Sequence, residues 1–471
     1  MFSESRMNWG VLVVLVLALG CVARPEDEDA LSLGDGLSDD ESDLGRVGAG
    51  DEMDADLGAG FAAADTGGVS CSVDIKPAQE LMIRSLAVVN DPVRTVWSGA
   101  NRPGSANGAW HFGRLMDSMA EGNDAAGFVR SWLGQWETDQ QVNGFTVPSR
   151  TAIRELVIDP WPKRRDGQLD LTRAPMRLLA IVNRVDLGDG NGRCGEGRFV
   201  FGVLGPSREA LSFTVILEYG LPGSTPSECL QWAIDWHALG ALRLGSARYN
   251  TALQRITDRF TAMNASPMRP NGSALNQLRT NEIALSSPWE LREFVLPPEG
   301  TGDGLMGRTS LLAAQPVAQT PDSGLNFSAT VARFINDNEV SILAGNHLVT
   351  DLFEQQPFRG GGSLNNFDFW NGSGDPAINN NEARHLFSVN TCNGCHGNET
   401  DTPFLHVFPR QRLEISSLSS FLTGEASEVE DPVDGTTQRT FSDLVRRATL
   451  LRNALCDGVP VVSSASESRV H

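Results

Sequence analysis

The 471 residues carry 38 Lys and Arg against 59 Asp and Glu, a formal net charge of −21, and 40% of them are apolar. No stretch concentrates the positive charge that gripping a phosphate backbone requires, so nucleic acid is excluded as an expected partner. The length suits one large domain or two ordinary ones.

In chain order, the first feature is Arg6 followed by the apolar run Trp9 to Gly20, which is too short for a membrane span and ends at small residues beside Cys21. It predicts an export signal over 1–21. Leu17-Ala18-Leu19-Gly20-Cys21 resembles the lipobox of bacterial lipoproteins. That resemblance implies a lipidated Cys21 and a protein of the cell envelope tethered to a membrane by its lipid, facing the periplasm or the cell exterior. Residues 22–69 hold 14 acidic residues and two arginines, a net of −12 of the total, with many Gly and Ala and no apolar period. This composition predicts a solvated linker that repels itself and acts as a spacer.

From Ser70 to about Trp370 the pattern is mixed. Phe128, Trp132 and Trp136 suggest a helical apolar face, as do Tyr249, Leu253, Ile256, Phe260 and Met263 behind Ser246. Strand signals fall at Met176–Val182, Arg198–Leu204, Leu211–Tyr219 and Trp289–Leu296. Between the first two lies Gly190-Asn191-Gly192-Arg193-Cys194-Gly195, formally Gly-x-Gly-x-x-Gly. A second strand follows it, not the helix whose N-terminus would cradle a pyrophosphate, so dinucleotide binding is rejected. Asp186, Asp189, Asn191 and Glu196 offer oxygens for calcium, but without the regular loop spacing a polar hairpin connection is the stronger reading.

Near the C-terminus stands Cys392-Asn393-Gly394-Cys395-His396. Cys-x-x-Cys-His holds a haem covalently through two thioethers and carries an imidazole beneath the iron. A small disulfide loop and half of a zinc site are the competing readings, and zinc lacks a second paired-ligand cluster. With the preceding Arg384–Thr391, whose apolar pair is Leu386 and Phe387, and the following Gly397, the motif resembles the start of a small c-type cytochrome domain. The resemblance covers roughly the last hundred residues. It implies one haem c, covalently attached at Cys392 and Cys395, with His396 as proximal iron ligand. It also suggests that the periodic segment Phe441–Leu455, with Leu444, Ala448, Leu451 and Leu455 on one face, packs as a terminal helix against the helix before the motif.

The chain departs from that family in one respect. Many small c-type cytochromes use a downstream Met as second ligand, and the last Met here is Met306. Among His111, His237, His347, His385, His396, His406 and His471, we favour His406, set among apolar residues in Pro403–Pro409, with His385 and His471 as the other choices in that region. An open sixth position would instead admit small ligands or peroxide.

Cysteine arithmetic closes the reading. With Cys21 on lipid and two thiols on haem, Cys71, Cys194, Cys229 and Cys456 remain, allowing three connectivities. Cys194–Cys229 with Cys71–Cys456 would join the ends of the folded body. The expected fold class is α+β, a mixed N-terminal domain over 70–370 and a mostly α-helical cytochrome c-like C-terminal domain over 371–471. The expected function is electron transfer with an unidentified redox partner protein. The alternatives are a haem oxidoreductase of peroxidase type and a surface binding lipoprotein in which the motif is structural.

Overall fold

A computed structural model describes residues 71–189, 192–298, 311–365, 370–372, 375–402, 404–425 and 428–462. The expectations for the signal and Cys21, the acidic segment 22–69, Gly190, Asn191, Met306, Pro403 and His471 lie outside the described residues.

An eight-stranded antiparallel sheet organises the chain. Its strands are β1 (Met82–Ile83), β2 (Met176–Gly188), β3 (Cys194–Leu204), β4 (Ala210–Gly220), β5 (Leu275–Glu282), β6 (Trp289–Val295), β7 (Ala313–Gln315) and β8 (Ser363–Asn365). They lie side by side in the order β1-β2-β3-β4-β5-β6, and the outer edge of β6 is shared by β7 at Glu293–Val295 and β8 at Trp289–Leu291. The glycine-rich segment is the β2–β3 hairpin connection, closing at Gly188 opposite Cys194. All four strand signals fall on these strands: β2, β3 and β4 run longer than the apolar runs that announced them, and β6 stops one residue short, at Val295.

Period-2 alternation sorts each strand's residues to two faces. Phe199, Phe201, Val203, Phe213, Val215, Leu217 and Tyr219 point to one face and form the main core. Four helices cover it: α1 (Phe112–Met119), α2 (Ala125–Gly134), α3 (Pro226–Ala238) and α4 (Ala247–Thr261). Phe112 meets Phe201 edge-on at 5.5 Å between ring centres, and Trp132 meets Phe294 at 6.2 Å. Ser246 caps α4 as its spacing predicts, but Met263 lies past the helix end and is exposed. Trp136 likewise lies beyond α2, yet is buried edge-on to Trp132.

The opposite face is covered by the C-terminal segment, and here the expected fold class fails. After α5 (Ala329–Asp337), this segment supplies helices α6 (Asn381–Val389), α7 (Cys392–Cys395) and α8 (Asp443–Asp457). These do not make a mostly helical cytochrome c-like domain. Val407, Leu418, Phe421 and Leu422 close over Met82, Val182, Val200 and Ile216 of the sheet. The terminal helix α8 packs on α3 and β2, and its Ala448 and Leu451 join the main core. The physical reason is the sheet itself: strands with side chains buried on both faces need two covers, and the C-terminal residues form the second one. Val69–His471 accordingly forms a single compact unit.

Two disulfides staple this arrangement, Cys194–Cys229 and Cys71–Cys456, the pairing that ties the ends of the folded body together. The second spans 385 residues of sequence. Closing so long a loop restricts the unfolded chain strongly, so the Cys71→Ser/Cys456→Ser variant is expected to lose about 2–5 kcal/mol of stability. Urea unfolding that leaves the midpoint unchanged would contradict this.

Candidate haem-attachment site

The motif is held by short-range necessity. Thr391 caps α7, its Oγ1 accepting from the Gly394 N–H and donating to the Ser388 carbonyl at 2.7 Å, while the Trp370 indole donates to it at 3.0 Å. A Cβ on Gly394 would stand 2.2 Å from the Ser388 carbonyl oxygen, so only glycine fits between the two thiols. From the other side, the Cys392 N–H donates to Thr320 Oγ1 at 3.0 Å, Asn365 donates to the carbonyls of Asn393 and His396, and Thr400 donates to the Cys395 carbonyl at 2.6 Å. Residues from four separate segments thus fix one short turn of helix.

This turn forms one wall of a cavity of about 110 Å³ between the second sheet face and the C-terminal cover. That volume is below the range of about 300–1,000 Å³ usual for small-molecule and cofactor pockets, so seating a haem requires the C-terminal cover to open. Cys392, Cys395, His396 and His406 line it, with apolar Met82, Val182, Val200, Ile216, Leu291, Val407, Phe421 and Leu422. Its floor is charged: Arg198, Glu218 and Arg279 face it from β3, β4 and β5, and Arg279 bonds both Glu218 and Glu293. Burial pushes the Glu218 carboxyl above its usual range despite Arg198 and Arg279 beside it.

The two cysteines are buried free thiols. Desolvation pushes the Cys392 thiol up to about 11, against the pull of Arg279, and holds the Cys395 thiol well above its ordinary range. Thiols held neutral in this way are poor thiolate nucleophiles, which disfavours a cysteine-hydrolase reading. His396 places Nδ1 2.7 Å from the Phe404 carbonyl oxygen, an arrangement that commits the ring's proton there and leaves Nε2 as the coordinating atom. Its ring stacks on Trp289 with centres 4.8 Å apart, and desolvation lowers its pKa to about 4, keeping it neutral as a ligand must be.

His406 is brought to the same cavity. Its Nδ1 is 2.8 Å from Ser419 Oγ, its Nε2 is 3.4 Å from Cys395 Sγ, and its ring centre is 4.3 Å from that of His396. Metal–imidazole bonds of about 2 Å put two opposed ligand nitrogens about 4 Å apart, with ring centres farther still. The two rings therefore touch directly here, and ligation of one iron by both requires His406 to draw back. A Met ligand from the earlier region fares worse. Met82 lines the cavity from β1, five strand spacings of about 4.8 Å from the β6 strand whose Trp289 carries His396.

The other histidines have separate places. His385 pairs with Glu399, next to Asp431, and these three donors lie close enough to suggest a metal cluster. Arg384 already occupies both carboxylates, bonding Glu399 at 2.6 Å and Asp431 at 3.0 Å, with Arg439 on Asp431 at 2.9 Å. The cluster is an ion-pair lock between α6 and the loop after the motif. Arg384→Met, which strands these buried carboxylates, is expected to cost about 3–5 kcal/mol, and a denaturation midpoint within error of wild type would refute the lock. His347 is buried beside Phe387 and does not line the cavity. Of the calcium candidates, Asp186 is held by Arg184, Glu196 by Arg198 and Asp189 by Arg193, so the described ones do not converge.

The charged floor and Arg447 of α8, a further wall residue, were not singled out from the sequence. A signal was present: Arg184, Glu196, Arg198, Glu218, Arg279 and Glu293 interrupt strands at positions that the alternation buries. Buried charges of this density mark either a site or an ion-pair lattice.

Compared with known proteins, the chain matches no family model, and no curated protein or solved structure matches it either.

Proposed function

We propose that the chain is an exported, mono-haem c-type cytochrome-like protein that transfers electrons to or from a redox partner protein. The observation that carries the reading is the placement of Cys392, Cys395 and His396 together on the wall of one cavity, with the His396 proton committed to the Phe404 carbonyl. The donor set fits the group: two neutral thiols for thioethers and one neutral imidazole for the iron. A haem bound there supplies one-electron redox chemistry. Trp289 and the Phe404 carbonyl orient His396, the apolar wall excludes water, and His406 is the second ligand in this reading. The deciding experiment is an optical spectrum of the exported protein before and after reduction, followed by denaturation. A haem spectrum that survives denaturation with the polypeptide is expected, and its absence in protein expressed with haem-attachment machinery would end the proposal.

A peroxidase-type haem oxidoreductase is the second reading, favoured by the Glu218 carboxyl kept protonation-prone on the cavity floor, where an acid/base group for peroxide would be needed. Rapid peroxide turnover that is lost in Glu218→Gln would select it.

The membrane tether belongs to the same proposal. Among the described residues no helix is long and apolar enough to cross a membrane, and the reading places anchorage on Cys21 lipid. Cys21→Ser is expected to move the protein from the membrane to the soluble fraction, since acyl burial at about 0.8 kcal/mol per CH₂ supplies the attachment. Unchanged fractionation, with no lipid on the wild-type N-terminus, would count against it.

A further inference from the structure

One hairpin of the C-terminal cover projects an apolar tip through a collar of arginines. Its arms are joined by the Val407–Leu418 bridge and by the Phe408 N–H on the Ser417 carbonyl at 3.0 Å, and its base carries His406 and Val407 of the cavity wall. Gln411 to Ile415 form the exposed tip, where Leu413 keeps 79% and Ile415 56% of its surface in solvent. The tip is firmly built. Buried Arg410 donates to the carbonyls of Arg412 at 2.9 Å and Glu414 at 3.1 Å within it, and to the Leu178 carbonyl of β2 at 2.9 Å, while the Asn90 amide donates to the Arg412 carbonyl at 2.8 Å. Arg177 donates to the Arg410 carbonyl at 2.6 Å, and Arg84 to that of Ser416. Two apolar side chains are thus held out in water on a framework of arginines.

Those arginines direct donors to carbonyl oxygens, which leaves their charge without a direct counterpart. Burial lowers the Arg177 pKa, and Arg208, exposed in the β3–β4 turn, lowers it further together with Arg412 of the tip, so the positive groups stand close to one another. Among the described residues none of Arg84, Arg177, Arg208, Arg410 and Arg412 forms a direct ion pair. Three carboxylates share the region, Glu209 beside Arg208, Glu425 near Arg84, and Glu414, which is folded back on the Gln411 N–H at 3.1 Å. The patch is positive in a chain of net charge −21, and its arginines come from separate segments, so no run of sequence announces it. We propose that this hairpin docks on a membrane surface bearing anionic phospholipid, with Leu413 and Ile415 entering the headgroup region and the arginines meeting the phosphates. A protruding apolar tip within a cationic collar matches that boundary, where apolar side chains bury and each basic residue near the surface adds attraction. A protein partner would need a broader face than two apolar side chains, about 800 Å² on each side. The contact is reversible, adding to the Cys21 tether without replacing it, and it does not rest on the haem reading. Through the hairpin's base it brings the cover of the cavity to the lipid.

The test uses the full exported chain carrying Cys21→Ser, so that no acyl chain contributes, sedimented with vesicles at low ionic strength. Vesicles of phosphatidylglycerol and phosphatidylcholine in equal parts are expected to bind it about tenfold or more tightly than phosphatidylcholine alone, and added salt should release it. Arg208→Gln with Arg412→Gln should weaken that binding by about tenfold, and Leu413→Ser with Ile415→Ser by about as much. All four side chains are exposed, so Tm should stay at the wild-type value in both double variants, which separates lost docking from lost folding. Equal binding to the two kinds of vesicle overturns the proposal, as does binding unchanged in the Leu413→Ser/Ile415→Ser protein. A photo-crosslinking side chain placed at position 413 in intact envelopes should give adducts with lipid. Adducts with protein alone would overturn the membrane contact and make the hairpin a docking site for an acidic protein.

Discussion

Protein carrying Cys392→Ala and Cys395→Ala is expected to fold and be exported, yet to lose all covalently bound haem. The effect should be complete, because both thioethers come from α7 and the chain's other described cysteines are spent in disulfides. Folding should survive: the buried thiols belong to a wall already fixed by Thr391, Thr320, Asn365 and Thr400, and replacing each by Ala removes one sulfur and leaves the backbone bonds intact. His396→Ala should behave differently. It keeps both attachment points but removes the ring stacked on Trp289, so haem should remain covalent with altered iron coordination and a changed reduced spectrum. Denaturing gels stained for haem, read beside spectra, separate the two variants. Haem retained through denaturation in the double cysteine variant would defeat the assignment.

Much of this site was legible because its signal is local. Cys-x-x-Cys-His needs no partner elsewhere in the chain to be noticed, and the helix before it, Asn381–Val389, was expected from the resemblance carried by the motif and its preceding apolar pair. The four strands with apolar or alternating runs were legible for the same reason. The strand β5, Leu275–Glu282, was not, since its sequence Leu-Asn-Gln-Leu-Arg-Thr-Asn-Glu resembles a polar segment until its neighbours are known. Arg279 and Asn281 are buried there only because they face the cavity floor and find Glu218, Glu293 and Trp289 across strands. The helical C-terminal domain failed as an expectation for a related reason. Periodicity identifies the apolar face of α8 but carries no information on what covers it, and the cover proved to be α3 and β2, not α6.

His406→Ala is expected to open the iron to exogenous ligands. In wild type, a bis-imidazole site formed with His396 would be six-coordinate, with a lower potential than His/Met ligation gives. The present geometry sets the condition: the rings stand 4.3 Å apart at their centres, with His406 Nε2 against Cys395 Sγ, so His406 would have to withdraw from both to serve as a ligand. His406 is held by Ser419 through both its ring Nδ1 and its backbone carbonyl, and packs on the Phe421 ring at 5.0 Å. Carbon monoxide should therefore bind reduced His406→Ala readily and reduced wild type slowly or not at all, with a shift toward a high-spin or water-ligated ferric spectrum in the variant. If carbon monoxide binds both proteins alike and their spectra coincide, His406 is not the axial ligand. The iron would then be open in the native protein, and the acid/base chemistry of Glu218 on the cavity floor would become the property to measure.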